Sequence, residues 1–331
     1  MQPAARGDPG CKPGRGLFPG GLDPCMAAGR IMVGAARRAL KQRLTEWYLA
    51  SRYPSLRDAL LARAGRSRLT VLVYHQVGPT ANDGSTVSVD RFREQMEHLK
   101  AHHEIVPLAE GVRRLRCPNR RRLVAVTFDD GYLDNATVAA PILDELGIPA
   151  TFFVATDLIG SRRPFPHDAR SGRGPQPHMS WDDLRRLRDA GHAIGSHTCS
   201  HVDLGIVSPA EAERELADSS RRIAHELGEP PRLFAYPYGR RRNMPERVIR
   251  LASRYYEVCC SAYGGHNIPP ADPTNVRRIV ISSGVTLPVF RAILQGWPIL
   301  RLHNPYFEAP AAGARRARMG LLFGTSLAQL L

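Results

Sequence analysis

From residue 69 onward, short apolar segments alternate with segments of helical periodicity. The apolar ones read "RLTVLVYH", "RLVAVTF", "ATFFVA", "HAIGSH", "RLFAYPYG", "YEVCCSA" and "RRIVIS". Among the segments between them are "SVDRFREQMEHLKAH", with Phe92, Met96 and Leu99 on one helical face, "VAAPILDELG" and "PERVIRLASR"; the helix "LPVFRAILQGW" closes the series. Two more carry complete start signals: Ser180 as N-cap with Asp183 at N3 and Gly191 as a stop, and Ser208 with Pro209 at N1 and Glu211 at N3. Strands apolar along their whole length are buried on both faces, and strand–helix alternation sets them parallel. Seven such strands are too many for a short open sheet and predict an α/β barrel, complete or incomplete.

The flanks differ. Residues 1–30 are rich in Gly and Pro and read as disordered; they do not fit a secretory signal, and Met26 or Met32 is an alternative start. Residues 31–68 carry apolar residues at helical spacing among arginines, a basic helical extension that Pro54 would break. The barrel is expected over 69–300 and a tail with a basic amphipathic end over 301–331. No run of eighteen apolar residues occurs, so no spanning helix is expected. The formal charge is +15, yet only Lys12, Lys41 and Lys100 are lysines among 46 basic residues. The arginines are spread along the chain and accompany no nucleic-acid motif, which excludes nucleic acid as an expected partner. The basic amphipathic ends make peripheral contact with an anionic membrane an expectation. The six cysteines form neither C-x-x-C nor a zinc-ribbon or dense disulfide spacing. The expected location is cytoplasmic or at the inner membrane surface.

In parallel α/β folds the carboxyl ends of the strands gather at one rim, where ligands bind. Four predicted strand ends carry unusual polar groups: "YHQ" with His75, "TFDDGY" with Asp129 and Asp130, "GSHTCSH" with His197 and His201, and "FAYPYG". Gly131 permits a tight turn after the carboxylates. Two histidines four apart can face one point, and with a carboxylate they suit Zn²⁺ or another divalent ion while leaving positions open. Neighbouring residues at a strand end diverge, so one Asp can bind the metal while the other serves as general base. A protease of the H-E-x-x-H type is excluded, because Thr198 stands where its Glu belongs.

"TFDDGY", "SHTCSH" and "FAYPYG", in this order, resemble the first three motifs of the NodB-type polysaccharide deacetylases. "LTVLVYHQV", "SWDDLRRLRDAGHAIGSH" and "NVRRIVIS" extend the resemblance over residues 69–296. It implies a distorted (β/α) barrel and metal-dependent hydrolysis of N-acetyl groups on glucosamine-type sugars, in a glycan or a lipid-linked precursor. By position it implies Asp129 as the base and Asp130, His197 and His201 as ligands of Zn²⁺, with Co²⁺, Ni²⁺ or Fe²⁺ also compatible. A backbone N–H near Tyr238 corresponds to the oxyanion donor. Hydrolysis of another amide or imide, or sugar binding with impaired catalysis, are the alternative readings.

Two positions depart from the family pattern. Many members have an arginine two residues before the proline of the third motif, paired with the catalytic Asp; here Ala235 occupies it. Arg278, at the start of a late strand, resembles the arginine of relatives with the same substitution and is expected within about 4 Å of an Asp129 oxygen. No clear Leu-x-His motif supplies the general acid, which leaves His75, His266 and His303 as candidates. Tyr132, beside the base, is expected to stack on a sugar ring, Trp181 to belong to the core, and Cys199 to pack beneath the histidine loop.

Overall fold

The structure is a computed structural model that describes residues 40, 43–51, 53–79, 84–165 and 174–296. Every element named below lies within residues 45–296. The expected disordered segment 1–30 and the tail 301–331, including His303, lie outside the described residues.

Seven parallel strands make the barrel: β1 (Leu69–Tyr74), β2 (Leu123–Phe128), β3 (Ala150–Val154), β4 (Ala193–Ser196), β5 (Leu233–Ala235), β6 (Val258–Cys260) and β7 (Arg278–Val280). Their order is β7-β1-β2-β3-β4-β5-β6. β1 and β2 pair along their full length, from Leu69 opposite Leu123 to Tyr74 opposite Phe128. A single parallel bridge between Cys260 and Val276, just ahead of β7, nearly closes the ring. All seven strands were legible from their apolar runs.

Strand parity separates two cores, because successive side chains point to opposite faces. Leu69, Val71, Leu123, Ala125, Phe153, Leu233, Ala235, Val258 and Cys260 form one apolar cluster that fills the barrel. Leu72, Tyr74, Val124, Val126, Phe128, Phe152 and Val154 belong to another, packed against the covering helices. Those helices include α2 (Val89–His102), α4 (Ala140–Leu146), α5 (Trp181–Asp189), α6 (Pro209–Leu227) and α8 (Leu287–Leu294), while α7 (Glu246–Ala252) packs with Phe234 and Cys259 in a further outer cluster. Both predicted caps form: Ser180 and Asp183 make a reciprocal capping box, and Ser208 Oγ accepts the Glu211 N–H at 3.2 Å. Gly195 lies against the Phe153 ring so closely that a Cβ would sit 2.5 Å from it, so only glycine lets Phe153 fill the barrel there.

Two features lacked a sequence signal. α3 (Leu108–Arg114) is seven residues long, and its Leu108 and Val112 join Leu69 and Leu123 at the amino ends of the strands, plugging the bottom of the barrel. Two-residue strands at Gln76–Val77 and Thr86–Val87 pair beside the rim. In the extension, α1 starts at Tyr53 and runs to Arg63, so Pro54 sits in the first turn, where its missing N–H costs nothing. Asp58 of α1 accepts Arg68 Nη1 at 2.7 Å and Arg122 Nη1 at 2.9 Å, fastening α1 to residues just before β1 and β2.

Candidate functional site

The inward parity of β2, set by Leu123 and Ala125, continues through Thr127 to Asp129. Inward from β7 comes Arg278, fully buried. Its Nη1 and Nη2 donate to Asp129 Oδ1 and Oδ2 at 2.6 and 2.7 Å, a two-pronged pair. Nη1 also reaches Thr127 Oγ1 at 3.2 Å, and Nε donates to the Ser261 carbonyl at 3.0 Å. Beneath the guanidinium lies the Phe153 ring, 5.2 Å from Cζ to centroid. Burial alone pushes the Asp129 carboxyl up, but Arg278, with His197 and His75, outweighs it and holds the group below the ordinary carboxylate value. Asp129 is therefore an oriented anion. The cation missing at Ala235 arrives from another strand, at the distance the sequence reading set for Arg278.

Asp130 turns away from its neighbour because the chain changes hand between them: Asp130 has φ 74° and Gly131 φ 75°. A Cβ on Gly131 would also meet Val154 Cγ1 at 3.1 Å, so glycine is the residue that takes this turn with least strain. Asp130 Oδ1 thereby comes within 3.5 Å of His197 Nε2 and 3.3 Å of His201 Nε2. All three side chains are buried, with ligand atoms within 4.8 Å of one another, and among the described residues they are the one group of this kind. His197 continues the inward parity of β4, and its Nδ1 lies 2.7 Å from the Ala235 carbonyl. That carbonyl can only accept, so Nδ1 carries a proton and Nε2 is the ring atom turned toward Asp130. The two imidazoles hold the Asp130 carboxyl well below its usual range against the effect of burial. One carboxylate and two imidazole nitrogens, buried and convergent, fit a divalent transition-metal ion.

Backbone conformation marks the same place. Among the described residues the non-glycine positions with positive φ are Asp130, Thr198, His201 and Tyr238, and all four line this site. Such conformations cost about 1–3 kcal/mol each and persist where surrounding structure imposes them. The His201 ring is flanked edge-on by Phe165 and Tyr238, each with centroids 4.9 Å away. Phe165 carried no sequence signal, lying in a loop with no periodicity. His75 is half-buried directly after β1. Its carbonyl accepts from Asn135 Nδ2 at 2.8 Å, and Asn135 opens a wide π-type turn running to Ala139.

Two sequence expectations, for Tyr132 and His266, end differently. Tyr132 is 1% exposed, stacked on His178 at 5.4 Å and edge-on to Phe165, so its face is closed to a sugar. His266 does not reach the rim. Its Nδ1 lies 2.9 Å from Thr70 Oγ1 near the amino end of β1, and burial with Arg68 and Arg57 keeps the imidazole neutral, well below its ordinary pKa. A strand-like flank locates a histidine near a strand but not at which end, which is why the sequence could not exclude it. Trp181 is partly buried against the outer core, with Arg222 5.7 Å over its ring. Cys199 does pack under the histidine loop: burial pushes its thiol up to about 12, so it is no thiolate ligand.

Comparisons with known proteins agree with this architecture. Residues 117–255 match the family model described as polysaccharide deacetylase. The chain is 23% identical over 236 residues to YxkH of Bacillus subtilis (strain 168), a protein assigned to the polysaccharide deacetylases, covering 69% of this chain and 77% of that one. It is 31% identical over 140 residues to the chitooligosaccharide deacetylase of Bradyrhizobium sp. (strain ANU 289), covering 41% of this chain and 55% of the relative's length. Among solved structures, IcaB from Ammonifex degensii superposes with a TM-score of 0.59 at 24% identity over 70% of this chain and 98% of that one, a likeness of fold.

Proposed function

We propose that the chain, which matches the polysaccharide deacetylase family model over residues 117–255, hydrolyses N-acetyl groups of an N-acetylated glycan or lipid-linked amino sugar. One observation carries the reading: a buried anion fixed by Arg278 stands directly beside a buried Asp–His–His group suited to a divalent metal.

Asp130, His197 and His201 would hold the ion, zinc by the chemistry of the donor set, with cobalt, nickel or iron able to substitute. When bound, it would supply Lewis acidity, lowering the pKa of a water from 15.7 toward roughly 7 and polarising the amide carbonyl. In this reading Asp129 removes the proton from the attacking water. The two prongs of Arg278 keep the carboxylate ionised and fix its plane, so the proton is taken at a set position. The backbone N–H at Tyr238, in its left-handed turn, is assigned to the developing oxyanion; one such donor is typically worth about 10²–10³ in rate. His75, half-buried directly after β1 at the rim, is assigned to return a proton to the leaving amine.

The test is acetate release from N-acetylglucosamine oligomers by zinc-loaded protein, with and without a chelator. The expected result is release that the chelator abolishes and added zinc or cobalt restores. Release indifferent to the chelator, or none from any N-acetylated glycan while metal is bound, would contradict the assignment.

A further inference from the structure

Helix α6 packs beside the loop that carries the two histidines of the candidate metal site, and one of its side chains touches that loop three times. Glu215 Oε2 accepts the backbone N–H groups of Cys199 and Ser200 at 2.8 and 3.0 Å, and Oε1 accepts the Ser200 hydroxyl at 2.7 Å. One turn along the same face, Ser219 Oγ lies 2.8 Å from Ser196 Oγ at the end of β4. Tyr256 OH closes that second contact, 3.0 Å from Ser196 Oγ and 2.9 Å from Ser219 Oγ. Residues four apart on a helix share a face, so α6 grips the segment 196–200 with two side chains from one stripe.

The loop has reason to need this grip. Thr198 and His201 both have left-handed φ, 67° and 61°, and for a β-branched residue such as Thr198 this is unusual strain. Released, the two residues would relax toward right-handed conformations and carry the His201 ring away from Asp130. The Thr198 hydroxyl accepts the His201 N–H at 3.0 Å, but that bond lies within the loop and cannot anchor it. Glu215 bonds the two residues between the strained positions, and hydrogen bonds to a carboxylate are about twice as strong as neutral ones.

We propose that Glu215 is the positioning residue of the metal site, holding residues 197–201 in the strained conformation that brings both imidazole Nε2 atoms to one cation. This rests on the metal reading of Asp130, His197 and His201. It is not a ligand and touches no substrate; it acts through the loop backbone.

The experiment measures zinc affinity by competition with a chromophoric chelator, together with amide hydrogen exchange at Cys199 and Ser200, in wild type, Glu215→Ala and Glu215→Gln. The alanine variant is expected to bind zinc about 10–100-fold more weakly and to lose protection at both amides. The glutamine variant keeps an acceptor oxygen for both N–H groups but loses the charge, and is expected to fall between alanine and wild type in both readouts. An alanine variant with a lowered Tm but unaltered zinc affinity would reduce Glu215 to a fold residue and overturn the proposal, as would a glutamine variant as weak as alanine. If wild type binds no zinc, the metal reading falls, and exchange alone decides whether Glu215 holds the loop: unchanged protection in the alanine variant overturns it, lost protection supports it. Should Glu215→Ala fail to fold, Ser200→Ala removes one of the three contacts, and a several-fold loss of zinc affinity is expected. An unchanged affinity there overturns the proposal.

Discussion

Arg278 holds Asp129 with both ends of its guanidinium, Nη1 on Oδ1 and Nη2 on Oδ2, across the interior of the barrel from its last strand to its second. Neither group is exposed enough to be screened by water, the arginine at 0% and the aspartate at 3% of their surface. Ala235 leaves β5 without a cation, and the barrel supplies one from β7, whose side chain shares the inward parity. A buried pair is costly to desolvate, but breaking one is costlier, because the remaining charge has nowhere to go.

Arg278→Ala is therefore expected to destabilise the protein by about 3–5 kcal/mol, read from urea denaturation, and to cut turnover of whatever protein folds. Arg278→Lys should recover part of the stability but little turnover, since a single ammonium cannot match the two-pronged geometry. Unchanged stability in the alanine variant would mean that Asp129 is neutral in the folded protein.

The metal group should act as a unit. Replacing Asp130, His197 or His201 by Ala removes one of three donors, so metal content after dialysis, measured by elemental analysis, should fall well below one ion per chain in each variant. Full occupancy in His201→Ala would show that the ion sits elsewhere.

A pH prediction comes from the far end of α2. Burial, with the neighbouring charges of Arg122, His98 and His102, lowers His103 from 6.5 to about 4. Burial, His102 and Arg291 do the same to His98, also to about 4. Between those values the unfolded chain binds protons that the folded chain refuses, so stability is intact above pH 6.5 and falls as pH drops toward 4. His103 alone accounts for roughly 3 kcal/mol at the acid limit. Replacing it with Gln should flatten the denaturation midpoint against pH over that range; an equally steep acid loss in the variant would contradict the assignment.

The sequence exposed the groups whose chemistry is rare in a strand end. Adjacent aspartates before a glycine and histidines four apart are conspicuous, and Arg278 was found because Ala235 left a partner missing. Glu215 was not legible: on a long helix with alternating charges it looks like any solvated side chain, and only the folded contact to residues 199 and 200 distinguishes it. Tyr132 misled because adjacency to Asp129 in sequence says nothing of direction. After the change of hand at Asp130 and Gly131 its ring enters a pocket of Phe165, Ala155 and Leu158 instead of facing solvent. α3 was missed because seven residues with a glycine at position 111 give no periodicity, although a Cβ there would meet Leu69 Cδ1 at 2.9 Å.

Two neighbouring carboxylates are assigned different tasks, and one comparison separates them most directly. Asp129→Asn and Asp130→Asn are each assayed for bound zinc and for acetate release from N-acetylglucosamine oligomers. Asp129→Asn is predicted to keep zinc at the wild-type level while losing about 10²–10⁴ in turnover, whereas Asp130→Asn should lose zinc and activity together. An Asp129→Asn protein that binds no zinc, or one that keeps wild-type turnover, would contradict the assignment of the base.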